Sequence, residues 1–180
     1  WLSGGALEWF VDTFRLSGVE EMVSLAEEVV TGSDGLFFLP ALSGAMAPEW
    51  IESARACFYG LTPAHGTAHL ARAVLEGCAF AMRDVLERLR TLEVPIESIL
   101  LLGGGARSRL WAQIRANVSG LPVAVPSRLD TSPIGAAMLA AVAANIQPNL
   151  EACAKLVEDA ESEYEGKIVT VLGKLSDVQQ

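Results

Sequence analysis

Residues 96–144 switch twice between strand-like and helix-like hydrophobic spacing, and that alternation restricts the fold more than any other feature of the chain. An apolar run at 96–102 ends in Gly103-Gly104-Gly105, and Ser108 stands where it can cap a helix extending to about residue 118. Residues 122–125 read as a second strand and 131–144 as an alanine-rich helix. Strand, helix, strand, helix predicts a layered α/β fold with neighbouring parallel strands.

Upstream, Leu2, Ala6, Leu7, Phe10, Val11 and Phe14 recur at helical spacing, and 19–30 repeats the pattern. Residues 31–35 form a turn cluster, and 36–39 ahead of Pro40 read as a short buried strand. Between 66 and 90 a broad apolar stripe, from Leu70 through Val74, Cys78, Met82 and Leu86, predicts the longest helix. The stretch 149–157 is predicted helical, and the polar sequence beyond 161 peripheral. The expected division is 1–35 as a helical lead-in, 36–158 as the main lobe and 159–180 as a C-terminal tail. Because the chain opens on Trp1, it reads as a piece of a longer polypeptide.

Charge and hydropathy narrow the partners. A net charge of −9 repels polyanions, so nucleic acid and anionic membrane surfaces are not expected partners. Hydrophobic residues make up 51%, yet the longest weakly polar stretch, 134–144, is about half of the roughly 20 residues that a span needs. It is predicted to be a buried helix instead. Cys57, Cys78 and Cys153 are widely spaced with no zinc-type pairing, which predicts reduced core thiols and a cytoplasmic setting.

The glycine run is the first chemical candidate. Residues without a Cβ admit close approach by a ligand, and a helix N-terminus behind them offers free N–H groups and a positive dipole end. A tight strand-to-helix turn explains the same glycines equally well. A phosphate-binding P-loop is not expected, since Gly105-Ala106-Arg107-Ser108 lacks the Gly-Lys-Ser/Thr ending. The dinucleotide fingerprint fits poorly: Ser108 stands where the third Gly or Ala belongs, and Val125-Pro126-Ser127-Arg128 supplies no acidic residue. Arg128 could favour a 2′-phosphate, which keeps an NADP-binding oxidoreductase domain as an alternative.

The second candidate is Ala56-Cys57-Phe58-Tyr59-Gly60-Leu61, followed after seven residues by His69-Leu70-Ala71-Arg72-Ala73-Val74-Leu75-Glu76. This string resembles the second signature of the FGGY carbohydrate kinases along its whole length. Phe38-Leu39-Pro40, Pro48-Glu49-Trp50, Ala54-Arg55, the Leu102 to Ser108 turn with Trp111 and Gln113, and Pro133-Ile134-Gly135-Ala136-Ala137 resemble its surrounding elements, with a looser likeness at Gly4-Gly5 and Trp9. One departure is Gly44-Ala45-Met46, where many relatives carry Gly-Glu-Arg.

The resemblance implies the C-terminal lobe of an actin-like (ribonuclease H-like) ATPase fold, a mixed sheet flanked by helices. It implies ATP with Mg²⁺ as donor and a small sugar or polyol as acceptor, with a pentulose such as xylulose suggested by Phe58-Tyr59-Gly60-Leu61-Thr62. Gly103, Gly104, Gly105, Arg107 and Arg109 are then expected at the nucleotide. No catalytic or metal-binding residue is expected here, because the family's base and its sugar pocket precede this segment. The N-terminal lobe of the same polypeptide is the implied partner, and the resemblance allows a homodimer. His69 and Glu76 are expected to act through hydrogen bonds that brace structure, and His65 to be solvated. A catalytically silent actin-like binding module stands as a second alternative.

Overall fold

A computed structural model describes residues 3–126, 131–163 and 169–171. Helices α1 (Ser3–Phe14) and α2 (Val19–Glu27) lead to a tight turn at Ser33–Gly35, then β1 (Phe37–Leu39), β2 (Cys57–Tyr59) and α3 (Thr67–Thr91). There follow β3 (Ile99–Leu100), a short 3₁₀ turn (Gly104–Arg107), α4 (Arg109–Ser119), β4 (Val123–Val125), α5 (Thr131–Ala143), α6 (Leu150–Glu163) and β5 (Val169–Val171).

The α/β reading holds in detail. Strands β3 and β4 are parallel, joined across α4 as the sequence predicts, and β5 adds to β4 in antiparallel register. The stretch expected to be a tail thus contributes an edge strand. A separate antiparallel pair, β1 with β2, sets Phe38 opposite Phe58.

Helix α3 is the chassis. Val74, Leu75, Cys78 and Ala79 are buried against Phe10, Met22, Phe38, Trp111 and Ile114 from four other elements. Each large apolar side chain so buried contributes about 1.5–3 kcal/mol. Aromatic rings fill the space between α1 and the hairpin: Trp9 stacks on Phe38 at 5.9 Å, and Phe38 meets Phe58 at 4.7 Å. The close approach of α3 to β1 requires Gly77, where a Cβ would lie 2.2 Å from the Phe38 carbonyl oxygen.

Four expectations need correction. Residues 36–39 are not a uniformly buried strand: Phe38 points inward while Phe37 and Leu39 are exposed, because β1 has core on one face only. The apolar 134–144 segment is helical but has no buried residue, α6 being its main neighbour among the described residues. Cys57 is exposed on the short strand β2, whereas Cys78 and Cys153 are buried thiols. His65 is half-buried rather than free in solvent, and its Nδ1 accepts the Thr62 N–H at 3.0 Å. Leu2 and Arg128 lie outside the described residues.

Candidate functional site

A cleft of about 580 Å³ opens between the N-terminal helices and the glycine turn. One wall is Gly4, Leu7 and Glu8 of α1 with Val19, Glu20, Val23, Ser24 and Glu27 of α2; the other is Gly104, Gly105, Arg107, Ser108, Arg109 and Trp111. Four of the five expected nucleotide residues, Gly104, Gly105, Arg107 and Arg109, therefore share one cavity. Gly103 does not line it.

The three glycines serve different ends. Gly103 adopts φ 77°, a left-handed conformation that disfavours a side chain, and its carbonyl accepts the Ala106 N–H. Gly105 lies against Trp111, whose ring would be 2.6 Å from an added Cβ. Gly104 has no such internal reason, because a Cβ there would meet nothing within 4 Å, and the same holds for Gly4 on the opposite wall. Two glycines facing one cleft with open space above both leave room for a ligand, which is the use that the fold itself does not require.

The second wall is firmly held. Ser108 caps α4 by accepting the Trp111 N–H at 3.1 Å, as its position in the sequence predicts. Trp111 is buried, donates Nε1–H to the Leu75 carbonyl at 3.2 Å, and carries the Arg115 guanidinium 3.7 Å from its ring centre. Burial lowers the Arg115 pKa to about 10, and Arg115 donates to Ser3 Oγ at 2.9 Å. By contrast the side chains of Arg107, Arg109, Glu8, Glu20 and Glu27 make no hydrogen bond or ion pair among the described residues. These charges are free for a polar ligand, with cations on one wall and carboxylates on the other.

The braces expected at His69 and Glu76 are present. His69 Nδ1 accepts the Gly66 N–H, the helix-capping amide, at 3.1 Å; Nε2 therefore holds the ring proton and donates it to Asp34 Oδ2 at 3.2 Å. Glu76 Oε1 accepts from Gly32 N at 3.0 Å and from Arg72 Nε at 2.6 Å. At the sequence departure, Ala45 pairs with Ile51 through both backbone hydrogen bonds, so the loop is ordered without a Glu-Arg pair. Among the described residues no group of three His, Cys, Asp or Glu could hold a metal ion, and no helix is long and apolar enough to cross a membrane.

What sequence reasoning missed is the α1–α2 wall. The doublet Gly4-Gly5 beside Trp9 was the available signal, but it says nothing about Glu20, Ser24 or Glu27, which reach the cleft only because α2 folds back beside the glycine turn.

The family model for the C-terminal domain of the FGGY family of carbohydrate kinases matches residues 2–144. The chain is 36% identical to the xylulose kinase of Escherichia coli (strain K12) over 149 residues, which covers 82% of this chain and 31% of that protein. It is 34% identical over 151 residues to a glycerol kinase of Saccharolobus islandicus, covering 83% of this chain and 30% of the relative. A ligand-bound xylulose kinase structure from Lactobacillus acidophilus superposes with a TM-score of 0.74 at 26% identity, over 95% of this chain and 34% of that one. The chain thus spans about a third of the length of the proteins it matches.

Proposed function

The chain belongs to the FGGY family of carbohydrate kinases, and from that membership we propose that it is the nucleotide-binding lobe of an ATP-dependent kinase for a small polyhydroxyl substrate. The observation that carries this reading is the cleft with Gly4 and Gly104 facing it, neither glycine being required by internal packing. Val19 and Val23 offer apolar surface to a flat base, while Arg107 and Arg109 offer cations to anionic oxygens. ATP supplies the transferred phosphoryl group when bound, accompanied by Mg²⁺. Phosphoryl transfer asks a protein mainly for positioning and charge stabilisation, and the lobe's share is to seat the nucleotide.

The base that accepts the substrate proton and the sugar pocket are assigned to the N-terminal lobe. A cytoplasmic enzyme goes with this reading, and so does a homodimer. Identity to xylulose and glycerol kinases is too similar to choose between acceptors. The Phe58-Tyr59-Gly60-Leu61-Thr62 string makes a pentulose the first candidate and glycerol the second. The dinucleotide alternative has no comparable support.

The test is ADP release by the full-length protein with ATP, Mg²⁺ and xylulose, ribulose, fuculose, glycerol or gluconate. Stimulation by xylulose alone supports the pentulose reading, and stimulation by glycerol alone replaces it. ADP binding without any stimulation identifies a silent module. Gly104→Ala leaves the thermal midpoint unchanged and raises the Kd for ADP about tenfold, since the methyl occupies ligand space and nothing else.

A further inference from the structure

We propose that Glu76, with Arg72 and His69, is a positioning residue for the nucleotide, because one polar stripe of α3 fixes the α2 wall of the cleft. The inference rests on the cleft being the nucleotide site. His69, Arg72 and Glu76 stand at i, i+3 and i+7, on one face of the helix. That face meets four consecutive residues of the preceding turn, one contact each. Arg72 Nη2 donates to Thr31 Oγ1 at 3.1 Å, Gly32 N–H donates to Glu76 Oε1 at 3.0 Å, Ser33 Oγ donates to the His69 carbonyl at 2.7 Å, and His69 Nε2 donates to Asp34 Oδ2 at 3.2 Å.

The turn does not adopt its shape unaided. Gly32, Ser33, Asp34 and Gly35 have φ values of 89°, 48°, 51° and 87°, four successive left-handed residues of which two carry side chains. Side chains are disfavoured in that conformation, and such backbone persists where its surroundings over-determine it. The surroundings are chiefly the α3 stripe, joined by His65, whose Nε2 lies 3.4 Å from the Asp34 carbonyl oxygen.

Stability alone does not account for the Arg72–Glu76 pair. The two side chains are 7% and 6% exposed, and a buried ion pair is commonly no more stabilising than apolar residues of the same volume. What the pair adds is a defined geometry for Thr31 and Gly32. Four residues before Thr31, Glu27 ends α2 and lines the cleft. The neighbouring residue on α3 holds the opposite wall, since the Leu75 carbonyl accepts the Trp111 indole N–H. Residues 75 and 76 thereby anchor the two walls from adjacent points on one rigid helix and set the distance between them.

The test uses the full-length protein and ADP. Arg72→Met/Glu76→Leu replaces the pair by matched apolar groups, so no buried charge is left unpaired. Expected is a thermal midpoint close to the wild type, a Kd for ADP raised about tenfold, and an unchanged acceptor KM. Glu76→Gln, which retains an oxygen for Gly32 N–H, restores ADP affinity to within about threefold of wild type. Should the double variant fail to fold, Asp34→Ala, which removes an exposed contact of the same clamp, raises the Kd about two- to threefold. ADP affinity unchanged in a folded double variant, or in Asp34→Ala, overturns the positioning role and leaves the nucleotide site intact. Wild-type protein that binds no ADP overturns the site itself, and the clamp with it.

Discussion

Helices α3 and α5 are both rich in apolar residues, yet only α3 has found its core. In α3 ten residues are buried, and the nine consecutive ones from Ala71 to Ala79 are covered on every face, the paired charges of Arg72 and Glu76 included, while the C-terminal half keeps its charges in solvent. In α5 apolar residues occur all round, none is buried, and Leu139 is 61% exposed. The difference teaches that hydrophobicity alone does not locate a core. Burial follows from how many neighbours pack around a helix: α3 is enclosed by α1, α2, α4 and β1, whereas the more apolar α5 has no buried residue.

The comparison predicts effects of very different size. Trp111→Ala, which empties the contact between α3 and α4, costs about 4 kcal/mol of unfolding free energy measured by denaturant titration. Gly77→Ala costs about 3 kcal/mol, because the added methyl meets the Phe38 backbone, which cannot turn aside. Leu139→Gln on α5 changes stability by no more than about 0.5 kcal/mol in this chain. A Leu139→Gln loss as large as that of Gly77→Ala would break the comparison.

A chemical probe sharpens the contrast between buried and exposed positions. Burial pushes the Cys78 thiol from 9.0 up to about 12, opposed by the nearby Arg115 charge. A raised folded pKa means that stability from this group is full below pH 9 and is lost as pH climbs from 9 toward 12. Arg115 has the opposite sign: its charged form is disfavoured by burial, and that cost is relieved as pH rises from about 10 to 12.5. Urea midpoints measured against pH therefore fall between pH 9 and about 10, above which the relief at Arg115 offsets the further loss at Cys78, and Cys78→Ala removes the fall. Smaller still is the labelling difference at neutral pH, where iodoacetamide modifies exposed Cys57 while Cys78 stays protected until the chain unfolds.

Much of the architecture was legible because local rules act there. The α3 stripe, the Ser108 cap and the parallel β3–α4–β4 unit all follow from spacing and capping within a dozen residues or so. Strand lengths were less legible: the 96–102 run contains only Ile99–Leu100 as paired strand, since pairing depends on the partner, not on the run itself. The site was legible by halves. Gly104, Gly105, Arg107 and Arg109 announce themselves in one short segment, whereas their partners on α2 are some 80 positions away and carry no local signature.

By itself the sequence determined the elements, the family likeness and the identity of the glycine turn, because these depend on residues close together in the chain. Only the tertiary structure decided that Gly104 is open to a ligand while Gly105 is closed by Trp111, and that His69 and Glu76 clamp one left-handed turn. Those facts depend on which surfaces meet across long separations. Such meetings are set by the packing of α3 against its neighbours rather than by any local preference.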